Sequence, residues 1–305
     1  VKIFYSIYWL FSLWVKYFLS LVTVIFKYLV FMMKLFKPSV SGYIGVDLGS
    51  SSIKIIELKK EGGVIRLANY GFSEAMELNL ADWQKNTSET AEIVRSICAE
   101  AGILSVNTIS ALPTFSVFSS VLNLSNMAKK DLAAAVHWEA KKVIPLPLEE
   151  MILDWKKIED GENGDSIRIL LTGAPRSLVK KYIEIFKIAR LNLLSLETET
   201  FSLVRSLLGN DKATIMLVEL GASTADISII DRGIPMLNRS IDIGGLTITQ
   251  AISRHLNISP VKAEQFKCDL GAGALAGGEP GEIPKLIMDN LAPIVNEIKY
   301  AINLF

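Results

Sequence analysis

Asp47-Leu48-Gly49-Ser50-Ser51-Ser52-Ile53-Lys54 places an acid, a tight turn, three hydroxyls and an amine in one short stretch. Val46 and Leu48 alternate around Asp47, and Ile53, Ile55 and Ile56 resume β-rich sequence, so the pattern predicts strand, turn, strand. Such a turn can close on a phosphate. Amides around Gly49 to Ser51 and the hydroxyls of Ser50 and Ser51 donate to phosphate oxygens, Lys54 reaches the same anion, and Asp47 holds a hydrated divalent cation. An ordinary hairpin with a serine-rich turn has the same residues.

A second copy of the design decides between these readings. Ala213 to Ile230 is an apolar run ending in Glu219, then Leu220-Gly221, small residues Ala222-Ser223-Thr224, and a β-branched strand after Asp226. Two such hairpins, one opening each half of the chain, predict a nucleotide held in the cleft between them, with Gly221, Ser223 and Thr224 on the second wall. Further on, Gly244-Gly245 sits at a strand-to-helix transition. Amides exposed there can meet a phosphate or ribose, the glycines can serve as a hinge, or the pair is a plain turn and helix cap. Glu264 and Lys267, three apart on the next helix, either contact a nucleoside or pair with each other on the surface.

Other chemistries have little material. The 305 residues fit about two domains of ~150 residues each and carry 32 basic against 32 acidic side chains. A balanced chain without a long basic run is no nucleic-acid binder. His137 and His255 are the only histidines, too few for Ser-His-Asp or multi-histidine metal chemistry. His137, beside Trp138 and Glu139, reads as a satisfied surface or core residue. Cys98 and Cys268 lack CxxC or His-paired spacing and read as reduced core thiols.

The positioning elements follow in chain order. Val64 to Gly71 adds a third strand; Ser88 caps a helix that ends at Gly102, and Val106 to Leu112 is a buried strand stopped by Pro113. Residues 114–160 read as an inserted subdomain: a strand from Phe115 to Leu124, a helix capped by Ser125 and broken at Ile144-Pro145, and a returning strand at Ile152 to Trp155. Ile167 to Ala174 then reads as a strand, Arg176 to Ala189 as a helix, and Leu193 to Leu208 as strand then helix, which closes a three-layer α/β domain. After the second hairpin come a helix from Ser259-Pro260, a Gly/Ala-rich loop from Gly271 to Pro284, and a long amphipathic helix from Lys285.

Residues 1–36 differ from everything after them: aromatic and aliphatic, without Asp, Glu, Gly, Pro or Ala, and with the polar residues Lys2, Ser6, Ser12, Lys16, Ser20, Thr23, Lys27 and Lys34 recurring at nearly helical spacing. The chain begins with Val1, and Met32-Met33 stand just ahead of the first strand, so residues 1–31 are read as sequence translated upstream of a start there. A membrane-associating helix, or a spanning one, is the alternative.

The order of these stretches resembles the actin, Hsp70 and sugar-kinase superfamily, with phosphate 1 at Asp47 to Lys54, phosphate 2 at Glu219 to Asp226 and the connecting hinge at Asp242 to Thr249. Within it, Met33 to Phe305 is similar to the PilM family of type IV pilus assembly, related to the cell-division protein FtsA. The specific part is His137-Trp138-Glu139-Ala140, Ile144-Pro145-Leu146-Pro147-Leu148 and Leu153-Asp154-Trp155, with Gly173-Ala174-Pro175 and Glu199-Thr200-Phe201-Ser202-Leu203 beside them. The resemblance implies an α/β, actin-like (ribonuclease H-like) two-domain ATPase fold, with residues 43–210 as the first domain, the FtsA/PilM-type subdomain inserted in it, and residues 211–305 as the second. It implies ATP with Mg2+, the metal held by Asp47 and Glu219 through water, and Glu199 where relatives carry a water-positioning Glu or Gln. It further implies a cytoplasmic scaffold, peripheral at the inner membrane. Such a scaffold captures the cytoplasmic N-terminal peptide of a PilN-like inner-membrane protein and links the pilus platform to its motor.

Two departures qualify the expectation. Glu219 stands where phosphate 2 usually begins with Asp, and its extra methylene displaces a metal-bound water, which points to binding with weak or absent hydrolysis. The chain also ends before the Gly-rich strand and helix that clasp the adenine in relatives, implying a fragment or weak nucleotide affinity. The rival expectations are a turning-over phosphotransferase, an FtsA-like membrane-tethered filament former, and a type II secretion-like scaffold.

Overall fold

The computed structural model describes residues 42–73, 86–160, 165–275 and 282–305. The hydrophobic segment 1–36, with its upstream-translation and membrane readings, lies outside the described residues. Among those that are described, no helix is long and apolar enough to cross a membrane.

Three sheets carry the chain. In the largest, β1 (Gly42–Leu48), β2 (Ile53–Glu61) and β3 (Val64–Phe72) form an antiparallel meander, and β4 (Asn107–Leu112) and β8 (Asn192–Thr198) extend it in parallel, giving the order β3-β2-β1-β4-β8. Period-2 alternation turns Ile44, Val46, Leu48, Ile53 and Ile55 to one face. That face is covered by α1 (Thr87–Glu100) and α3 (Arg176–Ile188), through Ala91, Val94 and Ile97 from the first and Leu178, Tyr182, Ile185 and Phe186 from the second. Helix α1 starts earlier than its serine suggested: Asn86, not Ser88, is the cap, its Oδ1 accepting from the Glu89 N–H at 3.1 Å while its Nδ2 donates to the Glu89 carboxylate at 2.7 Å.

The second sheet has the order β5-β7-β6, with β5 (Phe118–Ser125), β6 (Met151–Asp160) and β7 (Ser166–Pro175) all antiparallel. Helix α2 (Lys129–Val143) buries Leu132, Val136 and Ala140 on it, and Pro145 prevents its continuation past Ile144. Its start carries no side-chain cap, so Ser125 is simply the end of β5. Strand β7, read above as the strand following an insertion that ends at 160, is the centre of this small sheet. Its near-continuous apolar run Ile167 to Leu171 suits a strand flanked on both sides, and the inserted unit therefore extends to Pro175. His137 is exposed on the outer side of α2, and Trp138 is 64% exposed beside it.

The third sheet is a meander of β9 (Ile215–Leu220), β10 (Ala225–Asp231) and β11 (Ile234–Ile241). Helix α7 (Glu282–Leu304) packs Ile298 and Ala301 on Ile227, Ile229 and Leu237. Helices α5 (Gly245–Leu256) and α6 (Pro260–Leu275) join α7 through Ile248, Ile252, Ala263 and Phe266. Helix α6 runs on through Gly271, where a Gly/Ala-rich loop was expected to begin; residues 276–281 of that loop lie outside the described residues.

One buried carboxylate ties the first sheet to its helix layer. Glu57 on β2 has no solvent exposure and accepts from the N–H groups of Ser105 (2.8 Å) and Leu104 (3.3 Å), from Asn69 Nδ2 (2.6 Å) and from Lys59 Nζ (3.1 Å). Burial pushes its pKa up, but these donors, Ser105 foremost, outweigh it and bring the group from 4.5 down to about 2. A carboxylate with a depressed folded pKa contributes stability above its unfolded value and loses it as pH falls. We therefore expect Glu57→Gln to destabilise the chain at pH 7 by about 3 kcal/mol at most. In denaturant titrations from pH 7 to pH 2, the difference between wild type and E57Q should shrink below pH 5.

Candidate nucleotide cleft

Turn chemistry brings each hairpin's polar residues to one end of its sheet. In the first, Asp47 and Lys54 are opposite in register, and Lys54 Nζ donates to Asp47 Oδ2 at 2.9 Å. The turn between them needs its glycine: a Cβ on Gly49 would lie 2.9 Å from the Ser52 carbonyl oxygen. Ser50 and Ser51 are half-buried on that turn. The second hairpin repeats the geometry with Gly221, whose N–H donates to the Thr224 carbonyl at 2.8 Å and whose Cβ would stand 3.0 Å from the same oxygen. Ser223 and Thr224 are half-buried there.

The two copies differ in one decisive position. Superposing DLGSSSIK on ELGASTAD sets Lys54 against Asp226, so the first hairpin opposes an acid with an amine and the second opposes Glu219 with Asp226. Two carboxylates across an antiparallel pair repel. Burial, then Asp226 and Asp47, raise the Glu219 pKa, and Lys54 offsets only part of this. Burial also raises Asp226, against hydrogen bonds from the hydroxyls of Ser240 and of Thr224 (3.2 Å).

Glu199 joins them from the first residue of α4 (Glu199–Leu207), a helix capped by Thr198, whose Oγ1 accepts from the Phe201 N–H at 3.2 Å. Its Oε2 accepts from the Thr114 N–H at 3.0 Å. Burial, followed by Glu219 and Asp47, holds this carboxyl well above its usual range despite the Thr114 donor. Glu199 and Glu219 each keep a narrow window on solvent, yet protein surrounds them closely enough for desolvation to dominate. Lys54 is the cation set among these carboxylates: Asp47 first, with Glu219 and Glu199 behind it, keeps its ammonium charged against burial. Thr114, Ser240 and the role of Asp226 are absent from the sequence reading. Only Asp226 left a signal, visible once the two hairpins are aligned.

Of the three readings of the glycine pair, the structure carries the turn and helix cap, with Gly244 as the N-cap of α5. The Gly245 N–H donates to the Gly221 carbonyl (3.0 Å) and the Leu246 N–H to the Ala222 carbonyl (2.8 Å), so the first amides of α5 are taken by the second turn and are not exposed to a ligand. Gly244 makes this approach possible, since a Cβ there would lie 2.5 Å from the Ala222 oxygen and 2.6 Å from that of Gly221. Of the two readings of Glu264 and Lys267, mutual pairing is observed, at 2.7 Å, and α5 joins it: Thr249 Oγ1 donates to Glu264, and Lys267 Nζ reaches Thr249 Oγ1 (2.9 Å) and the Gly245 carbonyl (3.2 Å). The pair braces α6 against the start of α5.

The arrangement is suited to a cation carrying an anion. Asp47, Glu199, Glu219 and Asp226 supply hard oxygen ligands around a single lysine, the donor chemistry that Mg2+ prefers. Among the described residues no three or more His, Cys, Asp or Glu side chains converge closely enough to bind a metal directly. Both glycine turns close tightly on their own carbonyls, Gly49 on Ser52 and Gly221 on Thr224, which brings the turn amides to the carboxylate end of each hairpin.

Comparison with known proteins bears on the fold and the family. The fold matches the solved "PilM-PilN type IV pilus biogenesis complex" with a TM-score of 0.73 at 21% identity, over 88% of this chain and 78% of the other. It matches the ethanolamine utilization protein EutJ from Carboxydothermus hydrogenoformans with a TM-score of 0.50 at 17% identity, over 86% and 72%. The fold is that of the actin-like ATPases. The family described as "Type IV pilus assembly protein PilM" matches residues 45–305, and the chain belongs to it.

Proposed function

We propose that this chain is an ATP-binding, actin-like scaffold of type IV pilus assembly that captures the cytoplasmic N-terminal peptide of a PilN-like inner-membrane protein. It works in the cytoplasm, peripheral to the inner membrane. Family membership and the likeness to a PilM–PilN complex support the assembly role. The observation that carries the nucleotide reading is the excess of buried carboxylate over ammonium between two glycine-turn hairpins. A divalent cation with its phosphates brings the missing positive charge and takes up the donors of the turns.

In this reading Asp47 and Glu219 hold Mg2+ through water. The turn amides at Gly49 and Gly221, with Ser50, Ser51, Ser223 and Thr224, hold phosphate oxygens, and Lys54 shifts from Asp47 toward the same phosphates. Gly244 and Gly245 act behind the second turn by fixing it to α5, and Glu264 and Lys267 brace that junction. Glu199, steadied by Thr114, faces the cleft where it can orient a water. Its raised pKa and the longer Glu219 favour binding over turnover. The domains follow the same logic, with residues 43–210 forming one wall, 211–305 the other, and the inserted unit attached to the first.

Three outcomes test this. Mg-ATP at about 100 times its dissociation constant should stabilise the full chain by about 2.7 kcal/mol, seen as a rise of several degrees in Tm. Lys54→Ala should weaken binding by about tenfold or more in calorimetry. No shift with Mg-ATP would remove the nucleotide reading, while failure of any PilN-like N-terminal peptide to bind would remove the scaffold reading. Glu219→Gln should behave in the opposite way in the ligand-free chain. A carboxyl raised above its unfolded value of 4.5 contributes its stability below that pH and loses it as pH rises. Removing the charge should therefore stabilise the free protein near pH 7.5 by about 1 kcal/mol, with little effect at pH 4.5, in denaturant unfolding.

A further inference from the structure

Strands β10 and β11 form a hairpin with two differently occupied faces. Ile227, Ile229 and Leu237 pack on α7, and Arg239 adds an ion pair to Glu297 at 2.6 Å. The other face is a row of polar pairs. At the cleft end Ser240 donates to Asp226, and next along Ser228 donates to Asn238 at 2.7 Å. At the far end Met236 meets the Arg168 guanidinium, Nη2 to Sδ 3.6 Å. Arg168 belongs to β7, so the row passes directly from the cleft to the inserted unit.

The hairpin's tip completes the connection. Arg232 and Gly233 form a two-residue turn with φ of 50° and 80°, left-handed at both positions. Arg232 is there at some backbone cost, and its guanidinium donates to Glu159 of β6 at 3.4 Å and to Asp231 at 3.2 Å. Glu159 also pairs with Arg168, and Thr214 at the base of β9 holds Asp231 at 2.8 Å. Strand β11 packs against β5 and against the turn Thr114–Ser116, the turn whose first N–H steadies Glu199. The inserted unit thus touches the cleft's second wall through the Arg232–Glu159–Arg168 cluster, the Arg168–Met236 contact and the packing of β11 on β5 and on the Thr114–Ser116 turn.

From these contacts we infer that the β10–β11 hairpin is a conformational relay, in which occupancy at Asp226 and Glu219 is transmitted to the inserted unit through the Arg232–Glu159–Arg168 latch. The hairpin spans five residue steps from Asp226 to Asp231, about 17 Å of paired strand, and one face is fixed to α7. A bulge between Ile229 and Ile230 bends the hairpin midway, but the ladder continues on either side of it, so a tilt at the cleft end is carried to the tip. Glu219 and Asp226 face each other across β9 and β10, and positive charge arriving beside Asp226 changes the balance between these two carboxylates at that end. This inference deepens the nucleotide reading and rests on it for the identity of the natural ligand.

Hydrogen–deuterium exchange on the full chain separates the two. In the ligand-free protein, Arg232→Ala and Glu159→Gln should each speed exchange about threefold in peptides from β5, β6 and β11, and the double variant should do no more than either alone. In wild type, Mg-ATP should slow exchange both at the two glycine turns and in β5 to β7; in R232A it should slow only the turns. Additive effects in the double variant, or equal slowing of β5 to β7 in R232A, overturn the relay. If Mg-ATP leaves the turns themselves unchanged, the nucleotide reading fails and the relay is read with Asp226→Asn in place of ligand. That substitution should alter exchange in β5 to β7 in the wild-type background and leave it unaltered beside Arg232→Ala; the same change in both backgrounds overturns the relay.

Discussion

The architecture turns on an electrostatic imbalance: four carboxylates gathered at the mouth of two hairpins with one lysine among them. Each acid by itself is ordinary; their confinement is not, because burial raises the energy of the ionised forms of Glu199, Glu219 and Asp226 together. A fold tolerates such a cluster only if stability comes from elsewhere. Here it comes from the apolar layers behind the sheets, the Tyr182–Phe186 core behind the first and the α7 face behind the third. In the proposed function a bound cation relieves this same imbalance, so that on this reading the destabilising feature is also the functional one.

Gene-duplication-like symmetry explains how the imbalance arises. Both hairpins keep acid, Leu, Gly and a hydroxyl-rich turn in the same positions, and both turns require glycine for the same close approach to a carbonyl. Only the final position differs in charge, Lys54 against Asp226. The first hairpin is self-neutralised, and the second must look outward, to Ser240, to Thr224 and to whatever enters the cleft. The two walls are thereby unequal in what they can do.

The paired hairpins were legible in the sequence because their information is local: alternation, a turn glycine and a repeat. Several other features were not legible, for a common reason. That the amides of Gly245 and Leu246 serve the turn at Gly221 depends on a backbone contact across more than twenty residues. That β7 lies between β5 and β6 depends on pairing partners, and alternation names a face without naming a neighbour. Glu264 and Lys267 had the spacing of an i,i+3 pair, but Thr249 as their third member lies on another helix. Thr114 and Ser240 are small hydroxyl residues with no pattern around them, and only their positions opposite Glu199 and Asp226 give them meaning.

Strands β4 and β8 lie side by side, with Asn192 Nδ2 donating to Asn107 Oδ1 at 2.8 Å across a separation of 85 residues. Everything between them, the whole β5-β7-β6 sheet with α2 and then α3, is enclosed by that one parallel pairing. The intervening sheet pairs only with itself and carries its own apolar cluster, so it can collapse early and shorten the effective loop that the outer strands must close. The pairing of β4 with β8, and with it the placement of Glu199 just past the end of β8, therefore closes over a unit that has a core of its own.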